Sequence, residues 1–232
     1  MSHITENLQA VHAAIVAAAR NAGRNPSDIA LLAVSKTFGP DAVLEAFNAG
    51  QRAFGENYLQ EALDKIAALQ DKAPGLEWHF IGPIQSNKTR PIAEHFDWVH
   101  SVDRLKIAQR LSEQRPQHLP PLQICLQVNI SGEASKSGIA PEELPALARA
   151  VSALPRLALR GLMAIPEPAG DEAAQRAPLR ALRQLAGQLR ADGLRLDTLS
   201  MGMSADLAAA IAEGSTMVRI GTAIFGKRDY AN

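Results

Sequence analysis

Short apolar runs alternate along this chain with longer segments in which apolar residues recur every three or four positions. The runs cover residues 29–36, 52–57, 77–82, 98–103, 122–130, 159–166, 198–203 and 217–226. Several are apolar or β-branched almost throughout, the pattern of strands buried on both faces. The segments between them predict helices. Residues 40–49 start on a proline and stop at Gly50, while 204–213 start on a capping Ser204 and stop at Gly214. Asp103 is placed to cap a helix over 104–114, and further helices are expected over 142–153 and 177–191. Pro145 must then fall in the first turn of its helix. One more helix, over 4–22, precedes the first strand.

Eight strands with seven helices between them either close into a barrel or form a doubly wound open sheet. The count of eight favours the barrel. So does the first strand's exit, Ser35-Lys36-Thr37-Phe38-Gly39, which carries no glycine-rich dinucleotide fingerprint. The reading is an α/β chain, a single (β/α)8 barrel over 1–232 with an extra N-terminal helix.

In such a barrel, chemistry collects at the carboxyl ends of the strands. Lys36 ends the first run after a wholly apolar approach. A lysine there is either a snorkelling surface residue or an amine whose charged form is disfavoured by apolar neighbours, ready to attack an aldehyde. Asn57, Gly82 and Asn129 sit near other run ends and suit either a ligand mouth or turns. The loops after strands seven and eight form the recurrent phosphate site of this fold. Here they read Leu199-Ser200-Met201-Gly202-Met203-Ser204 and Val218-Arg219-Ile220-Gly221-Thr222-Ala223. Their hydroxyls and glycine amides suit a dianion, and two such loops side by side outweigh the reading of plain tight turns. Arg219 is anomalous inside an apolar run and needs a partner. That partner is a carboxylate in the barrel or a ring nitrogen of a bound cofactor, which an arginine would keep unprotonated.

Composition removes other classes. The 24 basic and 24 acidic residues cancel, so no field exists to gather nucleic acid or an anionic membrane. Aromatics are only 4%, which leaves the core to small aliphatic side chains. One cysteine, Cys125, cannot form an intrachain disulfide, and the polar start of the chain is unlike a secretory signal, so a cytoplasmic protein is expected. No run is long enough to span a membrane. The histidines show no zinc spacing, since His95 and His100 are five apart, so no metal is expected.

These residues resemble the pyridoxal phosphate homeostasis protein family, whose barrel is similar to that of alanine racemase, fold type III among pyridoxal-phosphate proteins. The matching segments are Ala33-Val34-Ser35-Lys36, Phe54-Gly55-Glu56-Asn57, His79-Phe80-Ile81-Gly82, Val128-Asn129-Ile130, Gly161-Leu162-Met163-Ala164-Ile165-Pro166 and the two phosphate loops. The resemblance implies pyridoxal 5′-phosphate as cofactor, joined to Lys36 as a Schiff base. It implies that Ser200, Gly221 and Thr222 hold the phosphate, that Arg219 faces the ring nitrogen, and that Asn57 and Met201 lie beside the cofactor. It further implies cofactor supply rather than catalysis, with apo forms of pyridoxal-phosphate enzymes as partners and no catalytic residue of its own. An amino-acid racemase is the alternative. It needs an acid or base on each face of the carbanion, and the only tyrosines are Tyr58 and Tyr230. The racemases' second domain has no counterpart here, so a monomer is expected. Lys136, in the polar loop after strand five, is a second amine that would help release the cofactor by imine exchange.

Overall fold

The computed structural model describes residues 3–133 and 137–227; Lys136 and Tyr230 lie outside them. Eight parallel strands close into one barrel in chain order. They are β1 (Ala30–Val34), β2 (Ala53–Glu56), β3 (Glu77–Phe80), β4 (Trp98–Val102), β5 (Leu122–Gln127), β6 (Leu157–Met163), β7 (Thr198–Ser200) and β8 (Met217–Ile220). Between them run α2 (Pro40–Asn48), α3 (Leu59–Leu69), α4 (Thr89–His95), α5 (Leu105–Gln114), α6 (Leu144–Ser152), α7 (Glu172–Ala191) and α8 (Leu207–Ala212). The expected helix before the barrel is α1 (His3–Asn21), and a short α9 (Thr222–Phe225) follows β8. Thus the expected (β/α)8 barrel forms.

Successive strand residues point to opposite faces, and the two faces enter different cores. On β1, Leu31 and Ala33 join the large apolar layer under the helices. Leu32 and Val34 instead pack with Ile81 and Met217 inside the barrel. Trp98, Cys125 and Met163 form another interior cluster. The same parity on β7 and β8 sends Leu199, Val218 and Ile220 outward. It turns Ser200 and Arg219 into the interior, where their side chains meet. Outside, α1 buries the stripe Leu8, Val11, Ile15 and Ala19, and Asn7 Nδ2 donates to Ile224 O at 2.9 Å.

The ring closes where β1 pairs with β8, from Ala30↔Met217 to Ala33↔Ile220. Its thinnest seam is β7–β8, paired only at Ser200↔Met217. There Ser215 Oγ bonds Met201 O at 2.6 Å and reinforces the join.

Several boundaries differ from the sequence reading. The fifth strand stops at Gln127, and Val128 makes only an isolated bridge to Ile139. The eighth stops at Ile220, because Gly221 opens the turn of α9. Helix α7 begins before residue 177: Asp171 caps it by accepting from Ala174 N at 2.9 Å, which leaves Pro178 inside. Pro178 there forfeits one backbone hydrogen bond. Asp103 does not cap α5; its carboxylate accepts from Gly138 N at 3.1 Å. Nor does Ser204 cap α8. Asp206 precedes that helix and accepts from Met203 N at 2.6 Å.

Candidate functional site

Lys36 follows β1 in a turn that is clamped on both sides. Phe38 N donates to Ser35 O at 3.1 Å, and Thr37 sits at φ 70, a left-handed backbone that is strained for a β-branched residue. The strain is held by α3. Glu61 Oε1 accepts from Thr37 N at 2.6 Å, and the buried Lys65 donates to Ser35 O and Glu56 Oε1, each at 2.8 Å. Lys65 also reaches Glu61 Oε1 at 2.5 Å, and Ser35 Oγ donates to Glu56 Oε1 at 2.5 Å. Burial pushes the Glu56 carboxyl up, against the opposing pull of Lys65 and Ser35.

Asn57 is set beside this turn by Gly82. A Cβ on Gly82 would lie 2.3 Å from Asn57 O, so only glycine allows the two strand exits to approach so closely. Gly202 serves the β7 loop similarly: at φ 99, with a Cβ position 2.5 Å from Ala210 Cβ, it presses the loop onto α8.

These pieces surround a cavity of about 310 Å³ at the carboxyl ends of the strands. Lys36, Asn57, Arg219, Gly221 and Thr222 line it together, with Ser204 and Ala205 from the β7 loop and an apolar share from Val34, Ile81, Ile165 and Met203. The wall therefore carries two cationic side chains and no carboxylate among the described residues. Asn57 Oδ1 is buried and lacks a hydrogen-bond partner among them. A second cavity of about 360 Å³ shares Asn57, Ile81 and Ile165 and adds Gln127, Asn129 and Ser137.

Two sequence candidates are not on the cavity wall. Met201 is fully buried in the layer under the helices. Ser200 is fully buried too, and its hydroxyl accepts from Arg219 Nη1 at 2.8 Å. Arg219 Nη2 donates to Ala164 O at 3.0 Å. Burial pulls this guanidinium down to about 10, against the opposing electrostatic pull of Asp206. The two hydrogen bonds that Arg219 makes among the described residues thus go to a hydroxyl and a backbone carbonyl rather than to a barrel carboxylate.

Beneath Arg219 runs a polar column that sequence reasoning missed. His100 Nδ1 lies 2.7 Å from Ser200 Oγ, His100 Nε2 lies 2.8 Å from His79 Nδ1, and His79 Nε2 lies 2.7 Å from Glu77 Oε1. Both imidazoles are buried, and His79 stacks on Trp98 with centroids 5.3 Å apart. Burial lowers both histidines, His100 strongly, and the His79 hydrogen bond holds Glu77 below the usual carboxylate range. The signal was present in strand parity, since His79 shares its strand face with Ile81 and His100 shares its face with Trp98. Among the described residues no cluster of His, Cys, Asp and Glu is arranged to hold a metal, and no helix is long and apolar enough to cross a membrane.

Residues 7–229 match the family described as alanine racemase, N-terminal domain. A pyridoxal phosphate homeostasis protein of Pseudomonas aeruginosa is 69% identical over 230 residues, 99% of this chain and 98% of that one. The protein of the same description from Escherichia coli is 57% identical over 232 residues, 100% and 99% of the two chains. The structure of PipY from Synechococcus elongatus, with PLP bound, matches with a TM-score of 0.84 and 40% identity, over 96% of this chain and 100% of PipY. Alanine racemase of Corynebacterium glutamicum matches at 0.70 with 19% identity over 99% of this chain and 62% of its own, a likeness of fold.

Proposed function

The chain belongs to the pyridoxal phosphate homeostasis protein family, built on the alanine racemase N-terminal-domain barrel, and from that premise we propose that it binds pyridoxal 5′-phosphate and serves its homeostasis by holding, buffering and delivering it. The observation that carries this reading is the cavity wall: Lys36 and Arg219 meet there with the hydroxyl- and glycine-bearing loops that follow β7 and β8. A cavity whose wall combines two cationic side chains with hydroxyls and glycine amides suits a phosphorylated, anionic ligand.

Lys36 would hold the cofactor as a Schiff base, with the clamped turn fixing its backbone. Gly221 and Thr222 would hold the phosphate. Ser204, which lines the cavity, joins them there in place of Ser200, whose hydroxyl is engaged by Arg219. Arg219 would face the ring nitrogen and, as a donor only, leave it unprotonated. Asn57 would present its unpartnered amide oxygen to the ligand's edge. When bound, the cofactor supplies an aldehyde that condenses with amines. With Arg219 opposite the nitrogen, the ring is a weak electron sink, which favours carriage over turnover. Tyr58, a candidate second acid for a racemase, is 52% exposed. The same reading takes the protein as a cytoplasmic monomer that hands its cofactor to apo-enzymes.

The test is an absorption spectrum of the purified protein before and after borohydride, with the modified peptide mapped by mass spectrometry. Lys36 is expected to carry the label. Lys36→Ala should abolish the reducible band while the phosphate contacts retain some non-covalent cofactor. A full-intensity reducible adduct in that variant would refute the attachment.

A further inference from the structure

The polar column inside the barrel joins an exposed carboxylate at one end of the molecule to the cavity at the other. Glu77 opens β3 at the amino-terminal end, its side chain 48% exposed, whereas Arg219 lines the cavity at the carboxyl end. The direction of every hydrogen bond between them follows from these two ends. An ionised carboxylate only accepts, so His79 donates to Glu77 from Nε2. A buried neutral imidazole has one N–H, so His79 Nδ1 is bare and accepts from His100 Nε2. His100 Nδ1 is then bare in turn and takes the hydroxyl proton of Ser200. Ser200 Oγ, its single proton committed, accepts from Arg219, which can only donate. No other assignment satisfies both charged ends with both rings neutral.

We propose that His79 and His100 are positioning residues for Arg219, passing a one-directional run of hydrogen bonds from Glu77 through Ser200 to hold the guanidinium in a single orientation toward the cavity. Nη1 and Nη2 each have one donor fixed, to Ser200 Oγ and Ala164 O. The other donors of the planar fork are left for the ligand. Without the bond to Ser200, the fork keeps only its anchor at Ala164 and can pivot. Aromatic packing alone would not require these rings: leucines fill such barrel layers elsewhere, as Leu32 does here. The inference that the guanidinium meets a ring nitrogen rests on the function proposed above; the hydrogen-bond run does not.

Two measurements separate those layers. In cofactor-free protein, nitrogen-15 NMR at neutral pH should find both histidines neutral and protonated at Nε2, with Nδ1 bare. Glu77→Leu should remove the anchor and mix the tautomers. Either ring found protonated at Nδ1 in the unaltered protein overturns the run. With pyridoxal 5′-phosphate added, His100→Phe keeps the ring volume but deletes both bonds. By freeing the Ser200 hydroxyl to turn away from Arg219 it should weaken binding about tenfold, the upper size of one lost neutral hydrogen bond, and shift the visible band. His100→Gln, which again offers one acceptor and one donor, should restore most of both. Unaltered affinity and spectrum in a folded His100→Phe variant would sink the positioning role. If that variant does not fold, Ser200→Ala makes the same break at the top of the column, and an unchanged spectrum there has the same force. Failure of the parent protein to bind cofactor would count against the proposed function, with the NMR result still deciding the run.

Discussion

Replacing Lys65 with methionine tests whether the clamp behind Lys36 is a buried electrostatic device. The lysine side chain is 3% exposed and that of Glu56 is fully buried, with 2.8 Å between Nζ and Oε1. Deleting one partner of a buried pair strands the other, at a cost of about 3–5 kcal/mol. Glu61, its other carboxylate partner, is 31% exposed and recovers water, so the penalty falls on Glu56. Burial already raises Glu56 with the lysine present. Without it the folded-state value must rise further, while the unfolded value stays near about 4.3. The folded variant then binds more protons than its unfolded state between those values, and stability falls as pH rises through that window. The deficit against the parent should therefore be near its full size at pH 8 and shrink to about 1–2 kcal/mol at pH 5, the residue of lost hydrogen bonds. Urea unfolding at a series of pH values, with constant m, measures it. Adding Glu56→Gln to the methionine variant should recover most of the loss. A deficit below about 1 kcal/mol at pH 8, or one independent of pH, would show that the charge is not what the clamp rests on. Because Lys65 also holds Ser35 O, cofactor binding should weaken in parallel.

Two further outcomes are expected. Gly82→Ala places a methyl against the backbone of Asn57, so urea unfolding should show a loss of about 1–3 kcal/mol and cofactor titration a weaker affinity; parent-like values in both would deny that the close approach sets Asn57. Conversion of L-alanine to D-alanine, followed by chiral chromatography, should stay well below about 1 per second, and turnover at that rate that disappears in Lys36→Ala would overturn the carrier reading.

The barrel was legible because its signals are local. Buried parallel strands read as apolar runs, and glycine or proline marks most helix ends. What was not legible depends on neighbours brought together by closure. Ser204 has the sequence setting of a cap, but the turn through Gly202 carries it to the cavity wall, and Asp206, which precedes α8, spends its carboxylate on Met203 N rather than on the helix. Ser200 sits in the phosphate-loop motif, yet strand parity turns its hydroxyl into the barrel toward His100. Spacing along the chain separates His79 from His100, and only the β3–β4 register, His79↔Trp98, brings the rings together. Lys65 draws no notice in the sequence, because its acidic partners Glu56 and Glu61 meet it only once α3 packs against the exits of β1 and β2.

The seam between β1 and β8 bears on when the cavity comes into being. Every other strand pair joins neighbours in sequence, so those contacts can form as local units. The β1–β8 ladder joins strands from opposite ends of the fold and must meet the largest loop-closure cost. Lys36 leaves β1, whereas Arg219, Gly221 and Thr222 belong to β8 and its exit, so the cavity is built across that seam. A chain that has collapsed and formed most of its strand pairs still has half a site on each side of an open ring. Cofactor capture by such a barrel waits for ring closure, and a refolding experiment followed by cofactor absorbance would time the last strand pairing rather than the first.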